Sequence, residues 1–271
     1  MRILFVADIF ARPGRRAAAE LIPLLVQERQ VDLVVANGEN AAGGFGITES
    51  IVRKLHAYGV DVVTTGNHVW DRPEFAAVLQ RTDRVLRPLN YPVEAPGRGS
   101  VVLPSRSGVP VAVISLQGRT LMQAIDCPFH AGRSEAERLR RLTPVILVDF
   151  HAEATAEKMA LAWYLDGQVS AIIGTHTHVQ TADERLLPGG TAYLTDAGMT
   201  GAHDSVIGVR AEIAIGRFLS QVPARFKPAD GNVRLNGVLL EVCPRTGRGL
   251  AIERLQLPVQ SAAGPHDEQE P

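Results

Sequence analysis

Cysteine is nearly missing: the 271 residues hold two, Cys127 and Cys243, far apart and in no Cys-x-x-Cys spacing. That scarcity excludes a disulfide framework and favours a cytoplasmic setting. An excess of either charge is missing as well, with 28 Lys plus Arg against 29 Asp plus Glu and a formal net charge of −1. No global field draws such a chain to nucleic acid or to an anionic bilayer, so any nucleic-acid contact has to be local. Long apolar runs are absent, and without about eighteen consecutive apolar residues no membrane span is expected. The apolar stretch after Arg2 is interrupted by Asp8 and followed by Arg12, Pro13, Gly14, Arg15 and Arg16, which is too short for an export signal. What remains, 45% apolar and 21% charged residues, is the composition of a soluble globular protein with chain enough for a large core.

Short blocks of β-branched and aliphatic residues recur at 3–6, 33–35, 60–63, 111–114, 145–148, 171–173 and 192–194, and these predict buried strands. Helical patterns lie between several of them, at 15–28, 49–57, 73–79, 134–141 and 152–165. Alternation of the two predicts an α/β fold. Towards the C-terminus the pattern turns strand-like at 209–215, 233–242 and 250–255, joined by Pro/Gly turns, and predicts antiparallel hairpins. Nothing marks an internal domain boundary, so residues 1–258 are expected to form one unit. Residues 259–271, without periodicity and ending in a small, acidic stretch, are expected to be a disordered tail.

The strand ends carry the chemistry. Asp8 closes the first strand, Asn37-Gly38-Glu39-Asn40 the second and Gly66-Asn67-His68 the third. Asp149-Phe150-His151 and Gly174-Thr175-His176-Thr177-His178 close two more. Open α/β sheets place ligand sites at strand C-terminal ends, so five ends can converge on one place. A lone Asp after a strand is an ordinary helix cap and a lone Asn-Gly an ordinary turn. Four of eight histidines at strand ends, interleaved with carboxylates and amides, are harder to explain that way. His176 and His178 are one residue apart, and on an extended chain both point to one face, where they can serve two ions about 3.5–4 Å apart. The mixed imidazole, carboxylate and amide set suits Mn, Fe or Zn rather than Ca, and lacks the thiolates of a structural zinc site. Imidazoles must be neutral to hold metal, so affinity is expected to fall on acidification through about pH 6.

In this order, Asp8, Gly38-Glu39-Asn40, Gly66-Asn67-His68, His151 and Gly174-Thr175-His176-Thr177-His178 resemble the motifs of the calcineurin-like metallophosphoesterases. Longer strings, including Gly66-Asn67-His68-Val69-Trp70-Asp71 and Thr195-Asp196-Ala197-Gly198-Met199-Thr200-Gly201, resemble the YmdB-like branch over roughly residues 1 to 258. The usual Asp-x-His of the superfamily reads Asp8-Ile9-Phe10 here, and the usual bridging Asp is Glu39. Both departures fit that branch, in which the Asn after the Glu takes over the missing ligand.

The resemblance implies a four-layer α/β/β/α sandwich with two mixed sheets and a dinuclear centre at one sheet edge. One divalent ion would be held by Asp8, Glu39, Asn40 and His178, and a second by Glu39, Asn67, His151 and His176. Iron or manganese is the first expectation for the pair, with zinc an alternative. It places His68 against the phosphate or the leaving alkoxide as a general acid; bracing of the metal shell through a carboxylate is the other reading. Arg12 and Arg15 are candidates for a substrate phosphate, and the Gly43-Gly44-Phe45-Gly46 loop for cradling one. The implied activity is hydrolysis of a small cyclic phosphodiester, 2′,3′-cyclic AMP first and 3′,5′-cyclic AMP second. Phosphomonoesterase or protein phosphatase activity on the same core stays open, as does a non-catalytic nucleotide-sensing regulator of RNA processing. No strong nucleic-acid footprint and no membrane partner are expected; a homo-oligomer is compatible with the sequence, although no residue points to one.

Overall fold

The computed structural model describes residues 1–260; residues 261–271 of the expected tail lie outside the described residues. The described residues form fourteen strands and six helices in two mixed sheets. In the first sheet β1 (Arg2–Val6), β3 (Leu33–Asn37), β4 (Val62–Thr64) and β5 (Val85–Leu86) run parallel in that spatial order. The long hairpin of β13 (Val233–Val242) and β14 (Gly249–Pro258) joins antiparallel to β1. Short β12 (Met199–Ala202) and β2 (Asp8–Ile9) extend the far edge. In the second sheet β7 (Pro110–Gln117), β8 (Ile146–His151), β9 (Ala171–Thr175) and β11 (Ala192–Leu194) are parallel. Antiparallel β6 (Ser100–Pro104) and β10 (Arg185–Leu186) close its two edges.

The sheets pack face to face because alternate residues of each strand are apolar on both sides. Ile3, Phe5, Leu33, Val35 and Val62 of the first sheet meet Val111, Val113, Leu147, Ala171 and Ile173 of the second. The opposite face of the first sheet, Leu4, Val6, Val34, Ala36 and Val63, is covered by α1 (Ala11–Glu28), α2 (Glu49–Ala57) and α3 (Phe75–Arg81). The outer face of the second, including Ile114, Ile146, Val148 and Ile172, is covered by α4 (Pro128–Leu139) and α5 (Thr155–Tyr164). This is the expected four-layer sandwich, and it explains why the strands read as unbroken apolar runs: both faces of each are buried. No helix among the described residues is long and apolar enough to cross a membrane.

Two local expectations fail. The segment expected to be a strand at 209–215 enters a helix, α6 (Ala211–Ser220), ended by Gln221 in the left-handed region at φ 58°. Ile213 and Ile215 suggested a strand, but a short apolar run does not separate strand from helix, and Ala211, Glu212 and Ala214 are helix formers. α1 begins four residues before the expected Arg15, because Pro13 falls in the first turn, where a missing N–H costs nothing.

Candidate metal centre

Register decides what meets what. Parallel pairing aligns Val6 with Ala36 and Ala36 with Val63, so the first sheet delivers Asp8, Glu39 and Asn67 past the same end. In the second sheet His151 pairs with Thr175, which sets His151 beside His176. The centre thus straddles the C-terminal ends of both sheets rather than the edge of one.

All seven candidate ligands come together in one connected cluster. His151 Nε2 lies 2.8 Å from Glu39 Oε1 and 3.0 Å from both Asn67 Oδ1 and His176 Nδ1. Asn40 Nδ2 lies 3.1 Å from His178 Nε2 and 3.3 Å from Glu39 Oε1. Asp8 Oδ2 accepts the His176 backbone N–H at 2.9 Å and lies 3.8 Å from His178 Nε2. Gly66 makes the approach feasible: a Cβ there would sit 2.1 Å from His151 Cδ2 and 2.5 Å from Glu39 Oε2.

His176 and His178 do not lie on an extended chain, as the sequence spacing predicts. Both have positive φ, 103° and 64°, the region that side chains with a Cβ rarely adopt. Such backbone persists where its surroundings over-determine it. Here Asp8 takes the His176 N–H from one side, and buried Asp196 takes the Thr177 N–H at 3.1 Å and its hydroxyl at 2.8 Å from the other. Asp196 is in turn held by the buried Lys158 ammonium at 2.7 Å.

The outer nitrogens of the imidazoles assign their tautomers. His178 Nδ1 faces the Ile207 carbonyl at 3.0 Å, which can only accept. His176 Nε2 faces the Glu153 carboxylate at 3.2 Å. His151 Nδ1 faces the Thr175 hydroxyl at 2.9 Å, whose single proton goes to Asp149 Oδ1 at 2.7 Å. Each outer nitrogen is therefore the N–H, and each inner one, Nε2 of His178, Nδ1 of His176 and Nε2 of His151, can turn a lone pair into the cluster. Asp8 Oδ1, fully buried, has no hydrogen-bond partner among the described residues. At His151, His176, Asn67 and Glu39 lone pairs meet lone pairs beside an orphaned buried carboxylate oxygen, which cations satisfy, so this donor set fits a metal site; Asn40 turns its Nδ2 to His178 Nε2, and its oxygen would have to turn inward to join. Atoms of Glu39, His151 and His176 within 4.8 Å of one another form its tightest triad among the described residues.

The protein's own groups shift one another strongly here. Burial by itself would lower the His151 pKa, but Glu39, Asp8 and Asp149 outweigh it and push it up to about 9. Burial would raise Glu39, but His151 and His68 bring it down to about 2. Burial, followed by the neighbouring His151, drives His176 down to about 3. Asp8 is pushed well above the carboxylate range by burial, with Glu39 adding to the effect. A proton on His151 Nε2 and a cation would serve the same carboxylates and compete for the same place.

His68 lies beside this cluster. Its N–H donates to Glu39 Oε2 at 3.2 Å, its ring Nδ1 lies 2.8 Å from Asp71 Oδ2, and its side chain lines a cavity of about 350 Å³ over the cluster. Asp71 therefore orients the His68 imidazole. Phe10 stands where the superfamily motif has an imidazole and packs edge-on against His178, ring centroids 5.5 Å apart. Arg15 donates to the Ala41 carbonyl at 2.6 Å, so it buttresses the loop after Glu39. Within that loop the Ala42, Gly44 and Phe45 amides donate to Gly46, Asn40 and Ala42 carbonyls, so these three are engaged within the loop itself. Asp149 and Thr175, both at strand ends in the sequence, form a buried relay to His151. Sequence reasoning passed over Asp196, although Asp196 follows a strand just as Asp8 does. For Lys158, a single lysine within a helix, no signal existed.

A four-layer sandwich with carboxylates, amides and imidazoles gathered at its strand ends defines the calcineurin-like phosphoesterase class. The chain belongs to the YmdB-like family, whose model, described as "YmdB-like protein", matches residues 4–255. It is 46% identical over 256 residues to the 2′,3′-cyclic-nucleotide 2′-phosphodiesterase of Bacillus subtilis, covering 94% of this chain and 96% of that one. A Thermus thermophilus protein solved as a hypothetical protein superposes with a TM-score of 0.89 at 43% identity, covering 95% of this chain and 99% of its own. A novel phosphatase from Mycoplasma pneumoniae superposes with a TM-score of 0.88 at 32% identity, covering 95% and 93%.

Proposed function

We propose that this chain is a metal-dependent phosphodiesterase acting on small cyclic nucleotides, 2′,3′-cyclic AMP first and 3′,5′-cyclic AMP second. The observation that carries the reading is the meeting of His151, His176, Asn67 and Glu39 lone pairs beside Asp8, whose buried Oδ1 has no hydrogen-bond partner among the described residues. The similarity to the Bacillus subtilis enzyme supplies the substrate class. Asp8, Glu39, Asn40 and His178 would hold one divalent ion, and Glu39, Asn67, His151 and His176 a second, with iron or manganese favoured by the donor set and zinc the alternative. When bound, such a pair supplies Lewis acidity towards phosphoryl oxygens and a nucleophile from water at neutral pH.

The chain's own residues do the rest. Glu39, whose two oxygens reach His151 and the His68 amide, ties both halves of the cluster together. Asp149 and Thr175 fix the His151 ring, while Asp8 and Asp196 fix the turn that carries His176 and His178. His68, its Nδ1 anchored on Asp71, presents Nε2 as the proton donor to the departing alkoxide. No Ser or Cys nucleophile is required. Free Cys127 and Cys243 fit the cytoplasmic setting we infer, and a homo-oligomer is a further expectation to be read by sedimentation.

The test is metal analysis together with hydrolysis of bis-p-nitrophenyl phosphate, with and without chelator, followed by product identification on a panel of cyclic nucleotides. Chelator-sensitive release of a nucleoside monophosphate from a 2′,3′-cyclic substrate is the expected outcome. A metal-replete protein that binds the nucleotides without turning them over would overturn it in favour of a sensor. Phosphomonoesterase activity is the second reading, on the likeness to the Mycoplasma phosphatase, and the same panel extended to monophosphates separates the two.

A further inference from the structure

The cavity over the cluster has a mixed lining: polar Glu39, Asn40, His68, His176 and His178, and apolar Phe10, Phe45, Ile207, Val209 and Phe226, with Phe10 edge-on to His178 and Phe45 edge-on to His68. The rings of Phe45 and Phe226 lie nearly parallel, 17° between their planes, with centroids 6.4 Å apart. That is an offset-stacked pair, which lines up two ring faces along one wall. Phe45 sits at the tip of a loop in which Gly43, Gly44 and Gly46 all have positive φ, and its edge meets the His68 ring at 5.0 Å between centroids. Phe226 is fixed differently, under the Arg217 guanidinium 4.9 Å from its ring centre. A built pair of aromatic faces therefore stands one ring away from the group that would address the leaving oxygen.

The geometry points to Phe45 and Phe226 as the nucleobase subsite of this enzyme: the phosphate lies at the cluster and the base stacks on these rings. The inference rests on the phosphodiesterase reading and deepens it. Phe45 and Phe226 offer ring faces, and a face contact reads the π-surface of a base and not the pattern of its edge. Stacking of this kind tolerates every base and favours purines by area.

The experiment compares metal-reconstituted wild type with Phe226→Leu, which keeps apolar bulk without the ring, and Phe226→Ala. The substrates are 2′,3′-cyclic AMP and glycerol 1,2-cyclic phosphate, a cyclic phosphodiester without a base. Saturation-transfer NMR with adenosine 2′-monophosphate is run on the same proteins. The expected result is a rise of about 5- to 140-fold in the KM for the nucleotide relative to that for the base-free ester, the range to which about 1–3 kcal/mol per stacked base converts at about 1.4 kcal/mol per tenfold. Saturation transfer to the adenine H2 and H8 is expected in wild type and weakened in both variants. Equal changes for both substrates, or adenine signals unaffected by the loss of the ring, would overturn the subsite. Wild type that hydrolyses neither ester defeats the phosphodiesterase reading instead, and the NMR comparison still decides whether the base stacks there.

Discussion

His151 and Thr175 are joined side by side across two parallel strands, the imidazole Nδ1 giving its proton to a hydroxyl that passes its own to Asp149. Asp149 is buried, and Thr64 and Asn37 donate to its other oxygen. The relay thus binds the centre of the second sheet to the ends of two strands in the first. Outer partners of this kind set ring orientation and tautomer, and their loss typically costs about 10- to 100-fold in metal affinity. Thr175→Val should weaken binding of the ion at His151 by that amount while the protein stays folded. Titration calorimetry with Mn²⁺ checks it, and unchanged affinity would show that the ring is held by packing alone.

The pH dependence of the metal-free protein follows from the same histidine. Its folded pKa, about 9, lies above the ordinary 6.5, so the stability it contributes is present in full below pH 6.5 and lost as pH rises through 9. Chelated wild type should therefore lose its stability advantage over His151→Gln between those values in denaturant melts. An ion has to displace the His151 proton, so apparent metal affinity should rise across this window and binding should release a proton. The window lies higher than the pH 6 expected from an ordinary imidazole, because the sequence does not show how closely Glu39 approaches. A constant affinity from pH 6.5 to 9 would refute it.

His68 and Asp71 lend themselves to a leaving-group test. General acid catalysis is worth about 10²- to 10⁴-fold, and chiefly for poor leaving groups. His68→Ala should lower kcat by that range for a nucleoside 2′,3′-cyclic phosphate and far less for bis-p-nitrophenyl phosphate, whose phenolate leaves unaided. Asp71→Asn should reproduce a weaker version of this split. Equal losses on both substrates would assign His68 to bracing the cluster through Glu39.

Much of this was legible in the sequence, and the limits are physical. The buried strands, Glu49–Ala57 as a helix, and all seven clustered residues follow from one regularity: polar residues at the ends of apolar runs. Asp8 and His178 are 170 positions apart, and only sheet topology, supplied by the family resemblance, says that they meet. What the pattern missed was either conformational or three-dimensional. The left-handed turn at His176 and His178 is imposed by Asp8 and Asp196 from outside the segment. The aromatic wall joins Phe45 to Phe226, which no periodicity connects.

The ion pair between Lys158 and Asp196 is fully buried, and its role is separable from that of the centre it supports. Asp196 accepts from the Lys158 ammonium, from the Thr177 amide and hydroxyl, and from the Gly198 amide. Asp196→Ala would strand a buried ammonium and release the turn carrying His176 and His178. The expected loss is about 3–5 kcal/mol in stability, with weakened metal binding besides. Replacing Lys158 by Met together with Asp196→Asn removes both charges, and most of the stability should return because an apolar substitute for a buried pair is often neutral. The Asn side chain can still accept from the Thr177 amide, so metal affinity should recover with it. Denaturant melts and metal titrations on the two variants decide between the roles. If stability returns without affinity, the carboxylate charge itself tunes the centre; if both return, the pair acts only by holding the turn in shape.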